Sequence, residues 1–244
     1  MMRDMNAWNY HPSRNIGTPV SKRLRSFPRE PGMLAYAVRS LAAVLLRAWM
    51  RAFHRLRIEG RENLPATGSC VLVCNHTSHL DTLCLLSAVE LRKIHHCFPA
   101  AAADYFFTSL PRSAISAVLI NALPFDRGAG GAQSLALCAE LLRDDGNILV
   151  LFPEGTRTTT GAIGRFRSGI GRLAAGNDLD ILPCHLAGGM RAWPKGSLLP
   201  RPGRLRLRIG RARNFRHLDR SRESVKAVCD ELQRCVTELG GDSR

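Results

Sequence analysis

The sequence predicts an α/β fold with a mainly parallel central sheet flanked by helices. Three observations carry that expectation. Apolar runs of strand length recur at Cys70 to Cys74, Ile148 to Phe152 and Ile181 to Cys184. Between them lie stretches whose apolar residues recur at helical spacing, such as Ala132 to Arg143. The runs then break into polar or small residues, as parallel strands do where they hand over to loops at their carboxyl edge. Strand and helix in alternation imply crossover connections, and crossovers lay the strands parallel.

Length and composition bound what such a fold can be. A chain of 244 residues holds one domain of normal size plus an appendage. A hydrophobic share of 45% is that of a folded protein rather than a disordered one. The formal net charge of +15 points to an anionic partner: a membrane surface, phosphate-bearing ligands or nucleic acid. No basic-aromatic binding module is present, which argues against nucleic acid. The eight cysteines form no C-x-x-C pair and no cluster with zinc-ligand spacing. Most sit among apolar neighbours, so reduced, buried thiols of a cytosolic compartment are expected, with no disulfide framework and no metal site.

In chain order, residues 1–31 form a basic arm with six cationic residues, Arg3, Arg14, Lys22, Arg23, Arg25 and Arg29, against only Asp4 and Glu30. It carries no apolar core, and disorder is expected. No cleavable signal is expected, since the first apolar run begins only near Met33. Residues 32–55 form an amphipathic helix. At 100° per residue, Arg39, Arg47, Arg51 and Arg55 share one sector, with Leu34, Leu41, Leu45 and Trp49 nearer the opposite side. Arginine near the centre of a span is costly, so a helix lying in the membrane interface is predicted over one that crosses the bilayer. The alternative is an ordinary amphipathic helix packed on the core.

Residues 56–244 carry the alternating pattern. Cys70 to Cys74 is a buried strand, and Asp81 to Leu91 continues as a Leu-rich helix. Ser113 to Asn121 reads as a short helix and Leu123 to Phe125 as a brief extended piece. The amphipathic helix from Ala132 to Arg143 stops at Asp145-Gly146, and the strand from Ile148 follows. Arg172 to Ala175 belongs to a helix stopped by Gly176-Asn177, before the strand from Ile181. Leu205, Leu207 and Ile209 alternate with Arg204, Arg206 and Arg208, a strand with one apolar and one cationic face. Val225, Val228, Cys229, Leu232, Val236 and Leu239 recur at helical spacing and predict a terminal core helix.

Polar residues depart from this rhythm at four places: Asn75-His76-Thr77-Ser78-His79-Leu80-Asp81, Pro124-Phe125-Asp126-Arg127, Phe152-Pro153-Glu154-Gly155-Thr156-Arg157, and the region around Pro183. In a parallel sheet, strand ends share one edge, so these residues converge there. Taken together, they resemble the blocks of the glycerolipid acyltransferase family: the lysophosphatidic acid (1-acylglycerol 3-phosphate) acyltransferases and related lysophospholipid acyltransferases. His76 to Asp81 matches the family's H-x4-D motif, and the F-P-E-G-T-R block is highly specific. The resemblance spans roughly Leu56 to Phe215, and makes 56–244 an acyltransferase domain.

The resemblance implies that His76 is the general base for an acceptor hydroxyl and that Asp81 fixes its tautomer and stabilises the imidazolium. Five residues is a workable separation if His76 lies in the loop and Asp81 turns back from the first helical turn. His79 is the competitor for the base. A hydroxyl capping the following helix is the expected role of Thr77 or Ser78. Substrate binding falls to Arg127, Glu154, Gly155, Thr156 and Arg157. The two arginines suit a phosphate, Gly155 allows close backbone approach, and Glu154 orients an arginine or accepts from a glycerol hydroxyl. Arg165 to Gly169 resembles the basic-aromatic-glycine segment that trails the third block. The stretch from Ala100 to Phe107 lacks the lysine that relatives often carry there, which leaves the acceptor headgroup open.

The expected activity is O-acyl transfer from acyl-CoA or acyl-carrier protein to a lysophospholipid, foremost 1-acylglycerol 3-phosphate, at the cytoplasmic face of an anionic membrane. No metal or bound cofactor is implied. The alternatives are another lyso-lipid or glycolipid acceptor, and a basic, non-catalytic membrane or nucleic-acid binding protein.

Overall fold

In the computed structural model, the described residues are 33–102, 115–126, 128 and 130–241. The basic arm therefore lies outside them, as do Arg127 and most of the stretch from Ala100 to Phe107. Seven strands form one sheet: β1 (Arg57–Glu59), β2 (Cys70–Cys74), β3 (Cys97–Ala102), β4 (Leu123–Phe125), β5 (Ile148–Leu151), β6 (Asp180–Ala187) and β7 (Arg206–Ile209). Their order is β1-β7-β6-β2-β5-β3-β4, and every pairing is parallel except β6 with β7.

Alternation along the strands explains the layers. In β2, Cys70, Leu72 and Cys74 face one core and Val71 and Val73 the other. All five are buried, because helices cover both faces. The first core is covered by α1 (Met33–Ala52), α2 (Leu80–Ala88) and the short α5 (Gly189–Ala192). The second is covered by α3 (Gly131–Leu141), α4 (Ser168–Ala174) and α6 (Arg222–Gly241). All eight cysteines are free and buried, seven of them in these two cores.

Several predicted bounds shift. The helix expected over Asp81 to Leu91 is α2, and a 3₁₀ turn at Leu91–His96 follows it. Of the helix expected from Ser113, the described part is a single π-type turn, Ile115–Leu119. Two strands have no counterpart in the sequence reading. β1 is three residues long and reads Arg-Ile-Glu, too short for a period. β3 reads Cys-Phe-Pro-Ala-Ala-Ala, where proline and alanine hide a strand held by β5 on one side and β4 on the other.

The orientation of α1 bears on the two readings of that helix. Arg39 is buried, and its guanidinium donates to the carbonyls of Val118 (2.8 Å) and Ala117 (3.1 Å). Arg47 donates to the Val89 carbonyl at the end of α2. Leu34, Leu41 and Leu45 lie on the outside, 78%, 61% and 60% exposed. Arg39 and Arg47 pack on the protein beside Ala43, Leu46 and Met50, while a second apolar stripe faces out. Trp49 departs from the sector reading: it is half-buried against the first core and stacks with Phe53, ring centroids 5.7 Å apart. Arg51 and Arg55 remain exposed.

Candidate active site

Asn75 closes β2 and fixes where the following loop leaves the sheet. Its side-chain amide donates to the Leu186 carbonyl (3.1 Å) and accepts from the Leu186 N–H (2.8 Å), clamping the loop to β6. Asn75 is buried, so both polar ends need these partners.

The loop then turns into α2 around Asp81. Asp81 is fully buried, and its Oδ2 accepts from the backbone N–H of Thr77 (2.6 Å) and of Ser78 (2.8 Å). Ser78 Oγ in turn accepts from the Leu80 N–H (3.1 Å), the expected helix-start role for that hydroxyl, and donates to the Trp193 carbonyl (2.7 Å). Side chain and backbone thus satisfy one another in the manner of a capping box, with the carboxylate in the first turn where the helix dipole favours it. The same Oδ2 lies 2.9 Å from Nδ1 of His76. The five-residue spacing works as expected, with His76 in the loop and Asp81 turned back from the helix. Two N–H donors hold the carboxylate immobile, so the pair is set before any substrate arrives.

His76 is held on three further sides. Its ring stacks on Phe152 at the end of β5, with centroids 4.1 Å apart and planes 17° apart. Its backbone N–H donates to Glu154 Oε1 (2.7 Å), and its carbonyl accepts from the Thr158 N–H (2.9 Å). The side chain is 20% exposed. With Nδ1 committed to Asp81, Nε2 is the ring nitrogen left for a substrate.

The F-P-E-G-T-R turn meets this loop across the sheet edge. Gly155 adopts a φ of +73°, and a Cβ there would come within 2.6 Å of the Arg167 guanidinium, so the turn requires glycine. Arg167 also donates to the Glu154 carbonyl (3.2 Å). Glu154 itself is buried, and its two carboxylate oxygens accept from the N–H groups of His76 and Gly164 (2.8 Å). Burial pushes its pKa up, and the two N–H donors oppose that shift. Glu154 thus braces the two loops, with one backbone N–H on each carboxylate oxygen. Thr156 is exposed. Arg157 is half-buried, and its Nη1 is buried with no partner among the described residues.

His79, the competing base, is half-buried 5.3 Å from the Trp193 ring. Burial, then the nearby charges of Arg157 and His76, push its pKa down to about 4, too low for a base at neutral pH. The same effect places Arg157 near His79. Asp126 lies on the neighbouring loop and accepts from the N–H groups of Gly128 (2.7 Å) and Gly130 (3.1 Å), shaping the entry to α3.

Sequence reasoning missed Asn75, Phe152 and Gly189 as site residues. The first two lie inside the motifs quoted, but their roles depend on β6 and on the His76 ring, which no spacing reveals. Gly189, at the start of α5, packs against the pair from the far side: a Cβ there would fall 2.7 Å from Thr77 Oγ1 and 2.9 Å from Asp81 Oδ1. Among the described residues, no group of three or more His, Cys, Asp or Glu side chains is placed to hold a metal ion.

An α/β sheet with a histidine–carboxylate pair at its carboxyl edge defines a class of group-transfer site. Comparison with known proteins specifies it: residues 55–187 match the Acyltransferase family, and the chain belongs to that family. It is 27% identical over 187 residues to a 1-acyl-sn-glycerol-3-phosphate acyltransferase of Bacillus subtilis, covering 75% of this chain and 87% of that one. It is 32% identical over 148 residues to the chloroplastic 1-acyl-sn-glycerol-3-phosphate acyltransferase BAT2 of Brassica napus, covering 59% of this chain and 41% of that one. The chain thus spans about two fifths of the length of such plant relatives (41% and 39%). The crystal structure of the 1-acyl-sn-glycerophosphate acyltransferase PlsC from Thermotoga maritima shares the fold, with a TM-score of 0.64 at 21% identity over 86% of this chain and 81% of that one.

Proposed function

We propose that this protein is an O-acyltransferase that moves a fatty acyl group from an acyl thioester to the free hydroxyl of a lysophospholipid, with 1-acylglycerol 3-phosphate as the acceptor. The observation that carries the reading is the His76–Asp81 pair, 2.9 Å apart, with Asp81 immobilised by two backbone N–H groups. Nε2 of His76 takes the proton as the acceptor oxygen attacks the thioester carbonyl carbon. The carbon–sulfur bond breaks, and the imidazolium returns the proton to the departing thiolate. Asp81 stabilises the imidazolium in between, a contribution of roughly 10²–10⁴-fold for such general-base catalysis. The acceptor hydroxyl stands where a hydrolase would place its serine, so no covalent enzyme intermediate is needed.

The phosphate of the acceptor is assigned to Arg157. Its buried Nη1 has no partner among the described residues, and a buried cationic donor is costly until an anion meets it. The names of the relatives agree with this acceptor. Arg127, outside the described residues, is proposed as a second phosphate ligand on the strength of its family block. Thr156 and the Gly155 backbone complete the acceptor wall.

The protein is further proposed to work at the cytoplasmic face of an anionic membrane, with the outward apolar side of α1 in the interface and the cationic arm beside the headgroups. The deciding experiment is a set of lyso-acceptors offered with one labelled acyl donor to the wild type and to His76→Ala. Transfer to 1-acylglycerol 3-phosphate is expected in the wild type and a loss of at least ~10²-fold in the variant, with unchanged thermal unfolding. Near-normal transfer by His76→Ala would overturn the reading, and preference for an acceptor without phosphate would reassign Arg157.

A further inference from the structure

Apolar side chains left in water are unevenly spread over this molecule. Among the described residues, the large exposed ones lie on α1, at Leu91 and Leu119 in the two turns packed on α1, and at Leu198 and Leu199. None lies on α3, α4 or α6, the helices of the opposite face. A single exposed leucine is ordinary, but a set confined to one side marks a surface that meets something. Leu198 is the most exposed of them at 92%, and Leu199 follows it at 75%.

The loop that carries these two leucines holds them out. The Trp193 indole N–H donates to the Ser197 carbonyl (2.9 Å), and the Ser197 hydroxyl donates to the Leu199 carbonyl (3.1 Å). The Arg201 N–H donates to the Ala192 carbonyl (2.7 Å) and closes the loop at its base. Pro194, Pro200 and Pro202 fix the backbone between these bonds. A loose loop would fold its leucines back onto the protein, since water favours covering them. This one is tied at both ends of its apolar tip.

Charge and position say what covers the tip. No acidic residue lies between Asp180 and Asp219, and Arg191, Lys195, Arg201 and Arg204 flank the tip as exposed cations. Arg191 and Arg204, with Arg55, Arg57 and Arg206, also line a groove beside β7. An apolar point in a cationic collar fits an anionic bilayer, with leucines at the acyl boundary and cations among the headgroups. The loop follows α5, which shares the first-core layer with α1. Ala52 at the end of α1 and the adjoining Phe53 border a hollow together with Pro202 and Gly203 at the loop's far end.

We propose that the Leu198–Leu199 tip inserts into an anionic bilayer as a second contact beside α1. Trp193 ties this contact to the catalytic edge: its carbonyl accepts from Ser78 Oγ (2.7 Å), and its ring lies 5.3 Å from that of His79. Two separated contacts fix the tilt of the sheet, which α1 alone leaves free, and hold the His76 loop at the membrane surface. The proposal rests on the membrane reading of α1 and adds to it the element that sets orientation.

The test places an environment-sensitive dye on Leu198→Cys, Leu41→Cys and Ala227→Cys in the full chain. The native thiols are all buried, and Ala227 is exposed on α6, away from the proposed contact. Phosphatidylcholine vesicles with and without phosphatidylglycerol are then added. The dye at 198 should shift to the blue on the anionic vesicles, as should the dye at 41, while the dye at 227 stays in water. A shift at 41 without one at 198 would overturn this proposal and leave the membrane reading standing. No shift at either position would fail the membrane reading itself. An equal shift at 198 on both kinds of vesicle would remove the role of the collar and overturn the proposal.

Replacing Leu198 and Leu199 together with serine should weaken partition onto the anionic vesicles roughly tenfold or more. Transfer to acceptor held in those vesicles should fall with it, while transfer to a water-soluble short-chain acceptor and thermal unfolding stay unchanged. Equal losses with both acceptors would make the loop part of the site rather than a membrane contact. If light scattering shows that the serine variant instead dissociates an oligomer, with partition unchanged, the tip joins copies of this chain and the proposal falls.

Discussion

Two helices of equal length, α1 and α6, use amphipathicity in opposite senses. Each has 20 residues. In α6 the apolar residues Val228, Leu232 and Val236 are fully buried, while Lys226 and Arg234 stay in water with i+3 and i+4 carboxylate partners. In α1 it is arginine that goes inward, Arg39 onto two carbonyls of the π-type turn and Arg47 onto the end of α2, while leucines cover the outside. A guanidinium is a tolerable buried group where unpaired carbonyls await it, and an outward apolar stripe is tolerable where the surroundings are apolar too. The comparison teaches that α6 keeps its charges in water, whereas α1 buries two of its arginines and leaves an apolar stripe outside, as the proposed membrane interface would require.

The sharpest break in the comparison comes from matched truncations. Leu232→Ala in α6 should cost about 2–5 kcal/mol in urea unfolding, since it opens a cavity in a closed core. Leu41→Ala in α1 should change the same quantity by no more than about 0.5 kcal/mol. Equal losses would make α1 an ordinary core helix. Next in size is partition onto phospholipid vesicles. Replacing Leu41 and Leu45 together with serine removes two apolar side chains from the interface, an expected loss of about 2–4 kcal/mol in sedimentation assays, with activity on micellar substrate retained. Unchanged partition would assign membrane binding to another part of the chain.

Smaller effects probe the inward arginine and its surroundings. Arg39→Met leaves the carbonyls of Val118 and Ala117 without their donor, and should lower stability by about 1–2 kcal/mol by thermal unfolding. A neutral result would mean that those carbonyls find water. His54, just past α1, is fully buried against Trp49 and Phe53, and burial lowers its pKa. The unfolded chain then binds the proton more readily than the folded one, so stability falls as pH drops through the ordinary imidazole range near about 6.5. His54→Leu should flatten that part of the stability–pH curve, and an identical curve would sink the assignment. Smallest of all, Lys226→Ala on α6 breaks an exposed ion pair and should shift unfolding by no more than about 0.5 kcal/mol, vanishing in high salt.

Much of the fold was legible because burial leaves period and length in the sequence. β2, β5 and β6 are apolar runs buried on both faces, and the ends of α3 and α6 fall close to where their spacing stops. β3 was not legible, since alanine and proline carry no strand period and the strand exists only because β4 and β5 hold it. At the site, His76 and Asp81 were readable from chemistry and resemblance. The bracing role of Glu154 was not readable, because sequence shows a carboxylate and not the two backbone N–H groups that meet it. The sector of arginines in α1 was readable too, but not which way it faces.

The sequence by itself determined the α/β class, the strand-end positions of the polar blocks and the pairing of a histidine with an aspartate one turn on. These are local properties: spacing, side-chain chemistry and the abrupt end of an apolar run. The tertiary structure alone decided what depends on neighbours remote in the chain. It brought Phe152 onto the His76 ring, Glu154 onto the His76 N–H and Gly189 against Thr77 and Asp81, turned Arg39 and Arg47 of α1 inward, and gathered five other arginines into a groove beside β7. Strand order does this, for β6 and β5 flank β2 only after the crossovers are made, and no period along the chain encodes which strand will lie beside which.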